Sequence, residues 1–179
     1  MIVRNRLEGS APEVAPALLG CILVSSVEGL EVRIRLTEVE AYTMNDPASH
    51  SFPGETPRNR SMFAAAGTLY VYRSYGIHWC ANVVTGPVGT GEAVLLRAGA
   101  IVCGDDVVRR RRKRDDHLLD GPGKLAQGLA ITGDHDGLDL LTPGPIRLVA
   151  GQTPPSVVAT PRVGLTRATE RCWRFVAAD

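Results

Sequence analysis

Apolar and polar side chains alternate from Glu31 to Tyr42, with Val32, Ile34 and Leu36 on one face and Arg33 and Arg35 on the other. This period of two predicts a long, half-buried β-strand. Ser10-Ala11-Pro12 reads as a helix start with Ser10 as N-cap. The helix runs to Leu19 ahead of Gly20, and Pro16 either bends it or moves its start later. Cys21 to Ser25 reads as a short strand. Residues 43–67, with Pro47, Pro53 and Pro57, are irregular apart from a short helix around Asn59 to Ala65. Thr68 to Val84 has the pattern of a hairpin: Thr68 to Arg73, a tip near Ser74-Tyr75-Gly76, then Ile77 to Val84. Glu92 to Val102 reads as a strand. Asp105 to Arg114 reads as a helix capped by Asp105 or Asp106, and Pro122 to Ile131 as a helix with Pro122 near its first position. The tail carries strand-like pieces at Ile146 to Val149 and Val157 to Val163, then a short helix or strand ending in Trp173-Arg174-Phe175-Val176. Hairpins mixed with helices predict an α+β fold rather than a doubly wound sheet.

Composition narrows the class. A chain of 179 residues reads as one domain, 1–179, long enough to bury a core without disulfide or metal staples. With 44% hydrophobic and 22% charged residues it is neither collagen, coiled coil nor wholesale disorder. A net charge of +1 argues against a histone-like protein but leaves room for a local basic face. Of the 20 Lys and Arg residues only Lys113 and Lys124 are lysines, so positive charge is nearly all guanidinium, the form suited to bidentate phosphate contacts. The start, MIVRNRLEGS, has no apolar stretch of a secretory signal, and the run Ala17 to Val24 is too short to span a bilayer. Cys21, Cys80, Cys103 and Cys172 show no zinc-type or thioredoxin-type spacing. The first three lie among apolar residues and are expected to be reduced core residues. A cytoplasmic location follows, bacterial cytosol or nucleoid-associated, with no membrane partner.

Chemistry concentrates between residues 38 and 97. Continuing the alternation of the long strand puts Glu38, Glu40 and Tyr42 on the side of Val32, Ile34 and Leu36. Carboxylates at the end of a core-facing row are costly unless solvated or hydrogen-bonded. They read either as wet residues at a strand end or as an acid at a pocket floor, a candidate general base. Seven of the nine aromatics fall between 42 and 79: Tyr42, Phe52, Phe63, Tyr70, Tyr72, Tyr75 and Trp79. Tyr70 and Tyr72 share a strand face, as ordinary sheet residues do. Tyr75 sits at the hairpin tip, where little is buried, and an exposed aromatic on a protruding hairpin suits stacking against or wedging between bases. Arg58, Arg60, Arg73 and Arg97 surround this region. The run Arg109 to Arg114 is flanked by Asp105, Asp106, Asp115 and Asp116 and reads as a solvated helix face. Asp134-His135-Asp136-Gly137 lacks the rest of a calcium loop and reads as a polar turn. Lys124 at a helix start opposes the helix dipole, so it calls for a phosphate or a nearby acid.

The ordered set TEVEAY, ASHS, TPRNRSMF, GTLYVYRSYGI, ANVV, VLLRA, DGPGKLAQGLAI and TPRVGL closely resembles the alkyladenine (3-methyladenine) DNA glycosylase family, over residues 18 to about 176. The resemblance implies a compact mixed fold around a curved antiparallel sheet and a monofunctional enzyme of base excision repair. Such an enzyme hydrolyses the N-glycosidic bond of alkylated or deaminated purines. It implies that Glu40 activates water and Arg97 helps hold it. Tyr42, His50 and Tyr72 would line the pocket of the flipped base, with Asn82 at its floor against the amino group of normal guanine. Tyr75 would fill the gap in the duplex, with Ile77 beside it. Arg58, Arg60, Arg73 and Lys124 are the phosphate-binding candidates, and the role of Lys124 is open. Ile77 and His78 depart from the family pattern, which often has Met and an aromatic there. No metal or other cofactor is expected. The expected partner is double-stranded DNA containing damaged purines, bound by a monomer.

The chemistry is self-consistent. A base within a duplex must be extruded, at about a few kcal/mol. A cationic alkylpurine leaves easily, so one carboxylate suffices to orient water and face the developing sugar cation. Neither lysine lies near Glu40 in sequence, so no Schiff-base lyase step is expected. Two other readings stand beside this one. A non-catalytic binder of distorted or damaged duplex DNA has no need for carboxylates facing a polyanion. A glycoside hydrolase is disfavoured, because acids at i and i+2 are neighbours rather than groups flanking a sugar.

Overall fold

The computed structural model describes residues 2–178. Eight strands form one antiparallel sheet: β1 (Ile22–Ser25), β2 (Val32–Tyr42), β3 (Leu69–Ser74), β4 (His78–Thr85), β5 (Glu92–Cys103), β6 (Ile146–Val149), β7 (Ser156–Thr160) and β8 (Arg174–Ala178). The main path runs β3-β4-β5-β2-β1-β6. β2 is the hub: one edge pairs with β5 along its length, while the other pairs first with β1 and then with β8, which carries β7. Three helices, α1 (Ala11–Leu18), α2 (Asp105–Arg112) and α3 (Pro122–Gly128), complete the α+β fold.

The helix ends follow local chemistry. Ser10 caps α1, with Glu13 accepting from the Ser10 amide at 3.0 Å and hydroxyl at 2.7 Å, and Pro16 is carried inside the helix. The cap of α2 is Gly104, not Asp105 or Asp106. Those two acids occupy the first turn instead, where they meet the helix dipole and pair with Arg109 and Arg110. α3 stops at Gly128, short of the expected Ile131. The expected helix around Asn59 is one 3-10 turn, Arg60–Phe63, and the C-terminal Arg174–Ala178 is a strand.

The principal core lies between one sheet face and the helices. Val39, Ala41, Leu69, Val71, Ala81, Val83, Val94 and Leu96 meet Val14 and Leu18 of α1, Val107 and Val108 of α2, and Leu125 and Leu129 of α3. A smaller cluster, Met62, Phe63, Tyr70, Val84 and Ala93, forms on the opposite face, with Tyr42 and Tyr72 packed against it. This second face carries the cleft.

A bulge decides which face receives the acids. Leu36 lies opposite Gly99 and Glu38 opposite Ala98, so Thr37 is an extra residue on β2; Val39 lies opposite Leu96, so Arg97 is an extra residue on β5. Side-chain parity reverses on both strands. Val32, Ile34 and Leu36 are buried in the core, and beyond the bulge so are Val39 and Ala41. Glu38, Glu40 and Tyr42 therefore do not continue the core-facing row, as strict alternation predicted. They face the cleft side.

Candidate active site

Strand register aligns Tyr70 with Asn82, Asn82 with Leu95, Leu95 with Glu40 and Glu40 with Arg174. The first four of these border a cleft of about 440 Å³, within the range that accommodates a small molecule or a single base. Tyr42, His50, Tyr72, Tyr75, Arg58, Arg73 and Arg97 also line it. The structure thus brings nine of the predicted residues around one opening, while Ile77, Arg60 and Lys124 lie outside its lining.

Glu40 borders this cleft with its side chain fully buried. Among the described residues, only donors meet its carboxylate. The Tyr42 hydroxyl donates to Oε2 at 2.8 Å, the Val163 amide donates to Oε1 at 2.8 Å, and an Arg97 guanidinium nitrogen stands 3.5 Å from Oε2. A buried acceptor-only group requires such partners. Burial pushes the Tyr42 hydroxyl strongly up, and the adjacent Glu40 charge adds to it, so Tyr42 remains a phenol that donates. Arg97 is held in turn by Glu38, whose Oε1 accepts from Arg97 Nε at 2.7 Å and from Arg174 Nε at 2.7 Å. Burial alone would raise the Glu38 carboxyl, but the hydrogen bonds from Arg174 and Arg97 outweigh it and hold the group below its ordinary value.

The aromatic wall is formed by Tyr70, Tyr72 and His50. The ring centroids of Tyr70 and Tyr72 lie 5.6 Å apart, and His50 meets Tyr72 edge-on at 4.4 Å. His50 Nδ1 is 3.0 Å from the Tyr70 hydroxyl. Asn82 is buried, and its Nδ2 donates to the Tyr70 carbonyl at 3.0 Å.

At the β3–β4 turn Tyr75 is 91% exposed and Ile77 67% exposed. Tyr75 and Gly76 both have left-handed backbone, at φ 48° and 68°. Behind them Arg73 lies over the Trp79 ring at 5.5 Å, and Arg58 donates to the Arg73 carbonyl at 3.3 Å. Arg60 lies 3.9 Å from Glu55 away from the cleft lining. Lys124 is met by an acid: its Nζ donates to Asp120 at 2.8 Å. Neither lysine lines the cleft.

Other expectations resolve individually. Cys21 and Cys80 are buried, but Cys103 is exposed at the end of β5, where it lies opposite the exposed Arg33 of β2. Residues 133–135 form a 3-10 turn, with Asp136 accepting from the Val71 amide and the Ser61 hydroxyl. The basic run is only partly a solvated face. Arg111 bonds the carbonyls of Gly128 and Val27, and Arg112 that of Leu118, tying α2 to its surroundings.

Sequence reasoning gave no role to the segment after β7. Val163, Gly164 and Leu165 form a wall of the cleft. Arg162 is buried, bonded to Asp46 and to the Ala41 carbonyl at 2.9 Å, with its guanidinium 4.6 Å from the Tyr42 ring centre and 5.3 Å from that of Trp173. The TPRVGL string was the available signal, but an amide donor such as Val163 N–H has no side-chain signature.

A model of the methylpurine-DNA glycosylase (MPG) family matches residues 5–179. The chain belongs to the methylpurine-DNA glycosylase family. It is 50% identical over 174 residues to a protein of Rhodopseudomonas palustris named "Putative 3-methyladenine DNA glycosylase", covering 96% of this chain and 84% of that one. Proteins of the same name from Methanoculleus marisnigri (49% identical, covering 90% and 87%) and Agrobacterium fabrum (48% identical, covering 97% and 87%) are similar to it over nearly the same span. This glycosylase family membership agrees with the resemblance drawn from the motifs. Among the described residues no helix is long and apolar enough to cross a membrane.

Proposed function

We propose that this protein is a monofunctional DNA glycosylase that binds double-stranded DNA as a monomer, flips a damaged purine into the cleft and hydrolyses its N-glycosidic bond. The supporting observation is the Glu40 carboxylate at a cleft bordered by Tyr42, His50, Tyr72 and Asn82, supplied with donors by Tyr42, Val163 and Arg97. The base stacks among the aromatic rings, and an electron-poor alkylated ring gains most from them. Asn82 stands where a bulky exocyclic group meets it. Glu40, ionised, orients the attacking water and accepts its proton while its charge faces the developing sugar cation. Arg97, fixed by Glu38, positions that water. Glu40 has no exposed surface in the free protein, so the water enters with the flipped nucleotide and uses carboxylate lone pairs that Tyr42 and Val163 leave free. Tyr75, with Ile77 beside it, takes over the lost stacking and offsets a flipping cost of about a few kcal/mol. Arg58 and Arg73 at the rim contact phosphates. No lysine amine lines the cleft, so no lyase step is included.

The test is excision from duplexes each carrying 3-methyladenine, 7-methylguanine, hypoxanthine or ethenoadenine, read by alkaline cleavage at abasic sites. Glu40→Gln is expected to abolish base release and keep lesion affinity close to that of the parent protein. Equal loss of both would overturn the role given to Glu40. Retained binding with no excision by the parent protein would instead leave a non-catalytic binder of damaged duplex.

A further inference from the structure

A carboxylate offers about four lone-pair sites, two on each oxygen. At Glu40 the Tyr42 hydroxyl takes one on Oε2 and the Val163 amide takes one on Oε1. One site on each oxygen is left, and a bidentate guanidinium would fill both. Two arginines are placed to do so. Arg174 lies opposite Glu40 in the β2–β8 register, and Arg97 is the extra residue of the β5 bulge beside it. Yet among the described residues neither hydrogen-bonds to Glu40. Arg97 Nη1 stands 3.5 Å from Oε2, beyond hydrogen-bond length. Both arginines instead give Nε–H to Oε1 of Glu38, each at 2.7 Å. The four side chains carry two formal charges of each sign and are largely enclosed, so an opposite charge at 3.5 Å attracts strongly. A competing charge is needed to keep Arg97 off Glu40. Glu38 supplies it: burial alone would raise its carboxyl, but the hydrogen bonds from Arg174 and Arg97 outweigh burial and hold it ionised.

We infer that Glu38 is a positioning residue that withholds Arg97 and Arg174 from Glu40, and so keeps one lone-pair site open on each Glu40 oxygen. That an attacking water uses such a site rests on the catalytic reading of Glu40; the withholding itself does not. Bracing alone would make Glu38 a fixed point for Arg97. Withholding makes the loss of Glu38 worse than the loss of Arg97.

The withholding is read without DNA. In a crystal structure of the Glu38→Gln protein the Arg97 guanidinium is expected on Glu40, at hydrogen-bond length to both oxygens. An Arg97 that keeps its parent position, or turns away from Glu40, would overturn the inference. The consequence is read as single-turnover excision of whichever of the four lesions above the parent protein releases fastest. Glu38→Gln is expected to lower the rate by about a hundredfold, the scale of a small misplacement at a reacting centre, and to leave lesion affinity near that of the parent. Glu38→Asp, which keeps the charge, should lose less. Glu38→Gln combined with Arg97→Gln should excise faster than Glu38→Gln alone and match Arg97→Gln, because the cation that fills the Glu40 sites is gone. A double variant no faster than Glu38→Gln would leave bracing as the whole role of Glu38 and remove the withholding. Equal loss of rate and lesion affinity would mark a structural role instead. If the parent protein releases none of the lesions, the catalytic reading fails while the crystal result stands.

Discussion

Arg162 and Asp46 form an ion pair with both side chains wholly withdrawn from solvent, and the residue after Arg162 donates its amide to Glu40. The pair therefore does more than join the tail to the 43–67 segment. It fixes one of the hydrogen bonds at the candidate catalytic carboxylate, and the guanidinium lies over the Tyr42 ring that supplies another. Removing one member of a buried pair strands the other charge, at about 3–5 kcal/mol. Asp46→Asn is expected to cost about that much in urea unfolding, a large share of the total for a domain. Excision at a temperature where the variant is still folded should also fall. A loss below about 1 kcal/mol would mean that Arg171, 3.7 Å from Asp46, or local relaxation already absorbs the change.

Tyr75 separates stability from binding. It is exposed and held at φ 48°, a conformation costly for a tyrosine. Tyr75→Gly relieves the backbone and removes no core contact, so its unfolding free energy should match or slightly exceed the parent value. Lesion affinity should fall about tenfold or more, given about 1–3 kcal/mol for aromatic stacking on a base. Undiminished lesion affinity would remove the duplex-filling role.

Arg58 and Arg73 line the cleft rim without a carboxylate partner among the described ion pairs. Each is expected to neutralise about one phosphate. The slope of log affinity against log salt concentration should therefore shrink by about one for Arg58→Gln or Arg73→Gln. Arg60→Gln, beside Glu55 and away from the cleft lining, should change it less. Identical slopes in all three would mean that the rim does not touch the backbone.

Where single-residue chemistry decided the outcome, the sequence was a good guide. Ser10 caps α1, the tyrosines of β3 share a face, and Tyr75 is exposed, because local pattern and turn chemistry suffice for each. The failures at the site turn on partners that the local pattern does not reveal. The period-two reading of β2 placed Glu40 on the core side. An extra residue at Thr37, matched by Arg97 on β5, reverses the parity, and no property of Thr37 itself announces this. Cys103 stands among apolar letters yet is exposed, because an extra residue at Val102 sets it opposite the exposed Arg33. Lys124 called for a phosphate or a nearby acid at a helix start, and Asp120, four residues earlier, is that acid. The Val163 amide, a donor that any residue but proline would offer, has no side-chain signature to read.

Acid should unfold this protein partly through Asp120 and Glu38. The hydrogen bond from Lys124, then that from His117, pulls the Asp120 carboxyl from its ordinary 3.8 down to about 2, and Glu38 lies below its ordinary 4.5 for the reasons given above. A folded-state pKa below the unfolded value means that the unfolded chain binds the proton first. The stabilisation is therefore complete above the unfolded pKa and is lost as pH falls through the folded one. For Asp120 the window runs from about pH 4 down to about pH 2; for Glu38 the loss begins near pH 4.5. Asp120 is about half exposed, so its share is screened and should shrink in high salt, whereas that of Glu38, largely enclosed by Arg97 and Arg174, should persist. Urea unfolding of the parent, Asp120→Asn and Glu38→Gln proteins should give stability gaps that are constant from about pH 7 to pH 5 and close on further acidification. A gap for Glu38→Gln that stays level down to pH 3 would show that its two arginines do not depend on its charge.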